Sequence, residues 1–166
     1  MRATILMLVI TISMFSCSKE NVEPGETVEI YLLKTYQSVP GKCQVDPLGS
    51  TIRDTPAITN REILDYSRSR YEFRLSASAV QKIRTWADRG PFAVAVDRQV
   101  IYFGIFKPVV SSSTCENSIT MDVDINGGNK IYLRLGYPWT FEGVPIDDQR
   151  NNARLVATLK RQGKLK

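Results

Sequence analysis

The chain has 166 residues, with 22 Lys and Arg against 17 Asp and Glu and no histidine. This length is enough for one domain with a hydrophobic core. The absence of histidine removes the commonest general base, the usual serine and cysteine triads and most zinc sites, and no P-loop, GxGxxG or GxSxG motif occurs. We therefore expect no catalytic residue, no metal and no cofactor, and the scattered, mildly basic charge predicts no nucleic-acid partner.

The N-terminus has the pattern of a secretory signal. Arg2 precedes an apolar run over residues 5–15, which ends at Ser16-Cys17. The run is shorter than the roughly 20 apolar residues of a transmembrane helix. The alternative interpretation is a buried helix at the N-terminus, but the run has no amphipathic face of the kind such a helix would need. The pattern predicts three segments: a signal peptide over residues 1–16, a polar tether over 17–27 and a single domain over 28–166.

Ser16-Cys17 resembles the end of a bacterial lipobox of the kind found in Bacteroidetes lipoproteins, with Met14 where leucine is usual. The resemblance implies that Cys17 becomes the acylated N-terminus of the mature protein. Fatty acyl chains such as palmitate would then anchor the protein to a membrane. The implied location is the outer membrane or the cell surface, outside the cytoplasm.

The two remaining cysteines, Cys43 and Cys115, predict a disulfide. Outside the cytoplasm an isolated pair of cysteines usually forms a bridge, and both residues lie in polar, turn-like contexts. The bridge would pin a long connection over residues 37–60, which contains several prolines and glycines, to the rest of the domain.

Alternating apolar residues predict most of the secondary structure. Strands are predicted over residues 28–36, 71–75, 91–96, 99–107, 119–125 and 131–135, with residues 62–65 a turn or a further strand. Helices are predicted from Ser76 or Ser78 to about residue 88 and over residues 147–162. The fold class is therefore α+β, a mainly antiparallel sheet of about five to six strands with two helices packed on one face.

The hairpin over residues 91–107 is the most apolar part of this fold, and Asp97-Arg98 forms its loop. Ala93 and Ala95 lie on one of its faces, opposite larger residues on the other. Small residues allow a close approach, so we expect the first helix to cover this alanine face.

Two stretches, EFRLSASA over residues 72–79 and FAVAVDRQV over residues 92–100, resemble a unit in the first periplasmic domain of SecD. The likeness spans residues 71–107, and Arg98 stands where that pattern has glycine and where a type I′ turn needs a positive φ. The resemblance implies a fold fragment and raises an accessory role in protein export as an alternative function. The closing LGYP pattern resembles small uncharacterised lipoproteins of Bacteroidetes, which implies no activity.

The aromatic stretch between Gly136 and Gly143 is the best binding candidate. Tyr137, Trp139 and Phe141 could stack on a glycan or anchor a partner protein. The alternative is that these rings fold back over the end of the sheet and close the core.

Asp122 and Asp124 open a D-x-D-x-N-G sequence that is typical of a calcium loop. Its twelfth position is Leu133, where a bidentate glutamate is required, so we interpret the two residues as outward strand positions before a hairpin turn. The same carboxylates could act as the acid/base pair of a carbohydrate-active enzyme.

Six basic residues that precede the hairpin, between positions 68 and 89, have two interpretations. They form either a patch for an anionic partner or an ordinary solvated surface; they are Arg68, Arg70, Arg74, Lys82, Arg84 and Arg89.

The leading hypothesis is a non-enzymatic cell-envelope lipoprotein, a small binding or interaction module with a glycan or an envelope protein as its candidate partner.

Overall fold

The computed structural model describes residues 25–166, so the predicted signal peptide and Cys17 lie outside the described residues. The domain is α+β, as predicted, with one mixed sheet and two helices. The predicted number of five to six strands was too low, because residues 25–166 form eight. They are β1 (Val28–Ser38), β2 (Val45–Ile52), β3 (Ile63–Ser67), β4 (Glu72–Leu75), β5 (Pro91–Val96), β6 (Gln99–Phe106), β7 (Cys115–Val123) and β8 (Lys130–Tyr137), with α1 (Ala77–Arg84) and α2 (Ala153–Arg161).

The strands lie side by side in the order β2-β1-β5-β6-β7-β8-β4-β3. All neighbouring pairs are antiparallel except β6 and β7, which run parallel over Gly104–Phe106. The edge of β3 is covered by the C-terminal residues, since the Tyr66 amide donates to the Lys164 carbonyl at 2.8 Å. A covered edge cannot pair with another chain.

One face of the sheet carries the main core. Phe92 and Val94 on β5 are fully buried there. Each helix begins after a capping residue: Ser76 accepts a hydrogen bond from the Ala79 amide, and Asn152 accepts one from the Arg154 amide. Both helices are shorter than predicted and bury their apolar stripes in this same core: Ala79, Val80 and Ile83 of α1, and Leu155 and Leu159 of α2.

The alanine face of the hairpin is not covered by α1, so that prediction was wrong. Ala93 belongs to a second apolar cluster, which includes Leu33, Val45 and Tyr137. The cover comes from β1 and β2. The inner half of β1, residues 28–32, pairs with β5, and its outer half pairs with β2 through two register irregularities. Irregular pairing bends a strand, and the bent ribbon lies over the alanine face, where β2 contacts β5 and β6.

The predicted pairing of Cys43 with Cys115 is confirmed, with their Cα atoms 5.1 Å apart. Cys43 lies in the turn between β1 and β2, and Cys115 begins β7. The bridge therefore fastens the tip of the ribbon to the sheet. The connection over residues 37–60 that it was expected to hold is largely the β1–β2 ribbon.

The predicted tether makes contacts with the folded domain at its C-terminal end. Glu26 accepts hydrogen bonds from Thr158 Oγ1 at 2.7 Å and Arg154 Nη2 at 3.1 Å, and the Thr27 amide donates to Asp97 Oδ1 at 2.6 Å. Contacts thus begin two residues before the predicted domain boundary at Val28. Within residues 25–166, no helix has the length and apolar character needed to cross a bilayer.

Candidate functional site

A wide apolar groove lies between α1 and the outer half of β1, with a volume of about 1000 Å³. It exists because α1 has only eight residues and ends at Arg84, so the helix leaves the outer part of β1 uncovered. We call it the α1 groove. Its walls include Leu32, Tyr36, Ala57, Trp86, Ala87 and Pro91.

The α1 groove combines aromatic walls with a cation at its rim. Trp86 is half-buried and packs edge-on against Phe106, with ring centroids 5.8 Å apart, whereas the side chain of Tyr36 is 52% exposed. Arg53 Nε lies 3.4 Å from the Leu33 carbonyl oxygen, and within residues 25–166 its guanidinium forms no ion pair. A largely apolar concavity with few polar groups is the usual form of a binding site.

The same groove borders an open strand edge. β5 pairs with β1 only as far as Leu32. Among residues 25–166, therefore, residues 33–38 have a partner strand, β2, on one edge only. Lys34, Thr35, Tyr36, Gln37 and Ser38 are all exposed. Unpaired backbone groups on such an edge can bind an extended peptide as an added strand.

The three aromatic residues of the 136–143 stretch are divided by the structure. Tyr137 is buried, and its hydroxyl donates to carbonyl oxygens of the 108–111 loop, including that of Val109 at 3.0 Å. Trp139 is 64% exposed, and its ring lies 5.7 Å from that of the half-buried Phe141. Tyr137 therefore closes the second apolar cluster, and only Trp139 and Phe141 are accessible to a ligand.

Asp122 and Asp124 have different surroundings. Asp122 is buried on the sheet, where Oδ2 accepts from Arg134 Nε at 2.8 Å and Oδ1 has no hydrogen-bond partner. Burial raises the pKa of Asp122, against the opposing hydrogen bond from Arg134. Asp124 is half-buried after the end of β7, and its Oδ1 accepts from the Asn126 amide at 2.9 Å. The strand interpretation thus holds for Asp122, whereas Asp124 belongs to the turn.

Lys107, which the sequence patterns did not single out, is the one cation within residues 25–166 that is fully buried. Its side chain is fully buried at the end of β6. Nζ donates to Asp88 Oδ1 at 2.9 Å, Ser111 Oγ at 2.7 Å and Ser113 Oγ at 2.6 Å, and it lies 5.1 Å from the centroid of the Tyr137 ring. A sequence signal existed, since a lysine directly follows an apolar strand and precedes several serines.

The Lys107 cluster resembles a serine–lysine catalytic pair in its residue types but not in its hydrogen bonding. An ammonium group has three protons to donate, and the three acceptors around Nζ use all of them. A lysine acting as a general base must instead present a neutral amine. The arrangement therefore fits an ion pair that fixes the 108–114 loop to Asp88.

Beyond β6, the face of the sheet opposite α1 and α2 carries a group of ion pairs. We call it the open sheet face. Directly paired residues point to the same side of a sheet, and Glu72, Tyr132 and Asp122 are paired across β4, β8 and β7. Of the basic residues in the predicted patch, Arg70 and Arg74 contact carboxylates here, whereas Lys82 and Arg84 belong to α1.

No protein-family model matches this chain, and neither a curated protein nor a solved structure shows a significant match. Among residues 25–166, no three His, Cys, Asp or Glu side chains come together in a group that could hold a metal ion.

Proposed function

We propose that this protein is a non-enzymatic binding module of the cell envelope, anchored to a membrane by lipid on Cys17, that captures an extended segment of a partner protein beside β1. The observation that carries the proposal is the coincidence of an open strand edge over residues 33–38 with the α1 groove. The edge supplies backbone hydrogen bonds, and the groove supplies an apolar recess for alternate side chains of the added strand.

The chemistry of the groove favours a particular partner segment. The walls at Leu32, Tyr36 and Trp86 suit an apolar or aromatic side chain. Arg53 at the rim has no carboxylate of residues 25–166 within ion-pair distance, so an acidic residue in the segment would gain a partner there. A segment that alternates apolar and polar residues and carries one acidic side chain therefore fits best.

Two observations support binding rather than catalysis. The protons of the Lys107 ammonium are all donated within its own cluster, and Asp122 is buried beneath Arg134 rather than in a cleft beside a second free carboxylate. The carbohydrate-active alternative requires both Asp122 and Asp124 to face one bound substrate, and Asp124 instead caps a turn.

The test is site-specific photocrosslinking in the producing bacterium. A photoreactive residue at position 81, which lines the groove, is expected to capture one short segment of an envelope protein. The matched control is position 48, on the neighbouring strand, where Leu48 is 98% exposed and is not a groove residue. The captured segment is then synthesised and titrated against the purified protein.

The backbone contribution is tested with the same peptide. We expect hydrogen exchange to slow at those amides of residues 33–38 that face the open edge rather than β2. N-methylation of alternate peptide amides should abolish binding, and Tyr36→Ala should weaken it by about 10-fold, with Leu48→Ala unchanged. Identical capture at positions 48 and 81, or an N-methylated peptide that binds equally well, would overturn the proposal. Turnover of a glycan or peptide by the pure protein would overturn its non-enzymatic part.

A further inference from the structure

On the open sheet face, the carboxylates are buried and the cations above them are exposed. Three carboxylates form its floor, with side chains only 6–11% exposed, and five cations lie above them with 37–64% of each side chain exposed. The pairs are Asp122 with Arg134, Glu72 with Arg70 and Lys130, and Asp65 with Arg74 and Lys166.

This arrangement gives the face a surplus of two positive charges. Asp65 and Glu72 each contact two cations, so one cation of each set is uncompensated. Burial alone would raise the pKa of Asp65, but hydrogen bonds from Arg74 and Lys166 lower it, which keeps the carboxylate ionised and the cations in place. Asp124 lies at the margin, where its carboxylate accepts a hydrogen bond from the backbone of its own hairpin and offsets part of this surplus. Approaching molecules therefore meet cations first.

One aromatic ring, that of Tyr132, lies between two of these cations along β8. Lys130, Tyr132 and Arg134 lie on one side of the strand at intervals of about 7 Å, and the Arg134 guanidinium lies 5.5 Å from the centroid of the Tyr132 ring. The next position is Gly136, where an added Cβ would lie 3.4 Å from Phe141 Cδ2. The loop that carries Trp139 and Phe141 therefore folds over the end of this row.

We propose that the open sheet face binds an acidic polysaccharide, with Trp139 stacking on a sugar ring and the exposed cations pairing with carboxylate or sulfate groups. A flat array of charges and rings suits a polymer that contacts several side chains at once, since each exposed ion pair alone is weak. Aromatic faces pack against the apolar faces of sugar rings. This site is independent of the proposed binding of a partner protein in the α1 groove.

Interleaved cations and rings can also bind single-stranded nucleic acid. The disulfide between Cys43 and Cys115 argues for the glycan, because disulfides persist mainly outside the cytosol, where acidic polysaccharides are the commoner polyanions. Nucleic-acid binding is retained as an outcome of the test.

The experiment is calorimetric titration of the whole chain with four probes: polygalacturonate, heparin, neutral dextran and oligo(dT). We expect binding to polygalacturonate or heparin, with the stronger of the two distinguishing carboxylated from sulfated glycans, and a loss of affinity as NaCl rises from about 0.05 M to about 0.3 M. No binding to either acidic glycan, or equal binding to dextran or oligo(dT), would overturn the proposal.

Two variants test the residues without unpairing a buried carboxylate. Arg70→Gln with Lys166→Gln removes the surplus charges but leaves Glu72 paired with Lys130 and Asp65 with Arg74, and it should weaken glycan binding by at least about 5-fold and flatten the salt dependence. Trp139→Ala should weaken it by about 5- to 10-fold.

The charge control is Arg61→Gln with Lys160→Gln, which removes two exposed cations that belong to none of the ion pairs of this face and should leave glycan affinity unchanged. Tyr36→Ala, in the α1 groove, should also leave glycan affinity unchanged. A failure of the glycan proposal can therefore be told apart from a failure of the proposed partner binding in the groove. Glycan affinity that is insensitive to Trp139→Ala, or equally reduced by the control, would refute the assignment.

Discussion

The ion pair between Lys107 and Asp88 should respond asymmetrically to removal of each partner. The Lys107 side chain is fully buried, whereas the Asp88 side chain is 40% exposed. Asp88→Asn leaves a buried ammonium with only neutral acceptors, and removing one partner of a buried pair costs about 3–5 kcal/mol. Because Asp88 is itself partly solvated, we expect a value near the lower end, about 3 kcal/mol.

Lys107→Met should cost less. Methionine fills much of the buried volume of the lysine stem, and the freed Asp88 carboxylate can return to water. The remaining loss comes from the hydrogen bonds to Ser111 and Ser113, which are half-buried, so we expect about 1 kcal/mol. The double variant should resemble Lys107→Met and lose about 1 kcal/mol, which gives a coupling energy of about 3 kcal/mol.

The assay is urea denaturation at neutral pH with the disulfide intact, comparing transition midpoints at constant slope. The control is the exposed pair of Lys34 with Asp54, whose side chains are 64% and 84% exposed. Lys34→Met should change the free energy of unfolding by no more than about 0.5 kcal/mol. Equal losses for the two single variants, or a larger loss for Lys107→Met, would refute the view that burial of the ammonium decides the energy.

Three further predictions concern other parts of the molecule. Replacing both Cys43 and Cys115 by alanine opens a link between residues 72 positions apart, so unfolding should become easier by about 4 kcal/mol and protease should cut the turn over residues 39–44; unchanged midpoints would contradict this. Burial raises the pKa of Asp122, so its contribution to stability is present at low pH and is lost as pH rises through the folded-state pKa. Asp122→Asn should therefore raise the urea midpoint at about pH 7 and raise it less at about pH 4.5, since the exposed Arg134 can be solvated; a gain that grows on acidification would be inconsistent. Cys17→Ala should abolish incorporation of a labelled fatty acid and release the protein from membranes, whereas labelling that persists would remove the proposed anchor.

The hairpin of β5 and β6 shows which features local sequence patterns can predict. Alternation assigned Phe92 and Val94 to one side and Ala93 to the other, and the two sides do belong to different apolar clusters. Asp97 and Arg98 have φ values of 47° and 62°, the positive values that a type I′ turn requires. The alternation and the position of the loop depend on neighbours in the chain, so the sequence predicts them. It does not predict the positive φ of Arg98, because glycine is the usual residue at that position of a type I′ turn.

β2 is a strand that local sequence patterns do not predict. It contains Pro47 and Gly49 and lacks a continuous apolar alternation, so its sequence is typical of a loop. A proline is tolerated at the edge of a sheet because its missing amide is not needed on the unpaired side. β2 is a strand because the disulfide and β1 hold it against the alanine face, not because of its own propensity.

The candidate sites divide in the same way. The aromatic stretch around Trp139 was visible in the sequence, but the burial of Tyr137 depends on the 108–111 loop, 26 or more residues earlier. The surplus charge of the open sheet face depends on Lys166 meeting Asp65 from the far end of the chain. No local pattern contains that pairing.

The amino-acid sequence by itself determined the α+β class, the alternation of the main strands, the hairpin turn and the cysteine pair, because periodicity and turn chemistry act over a few residues. Only the tertiary structure decided that the β1–β2 ribbon, rather than α1, covers Ala93. It also decided that a short α1 leaves a groove and that Lys107 is buried beside Asp88. These outcomes depend on which distant surfaces meet, and burial is a property of the assembled surfaces rather than of any segment alone.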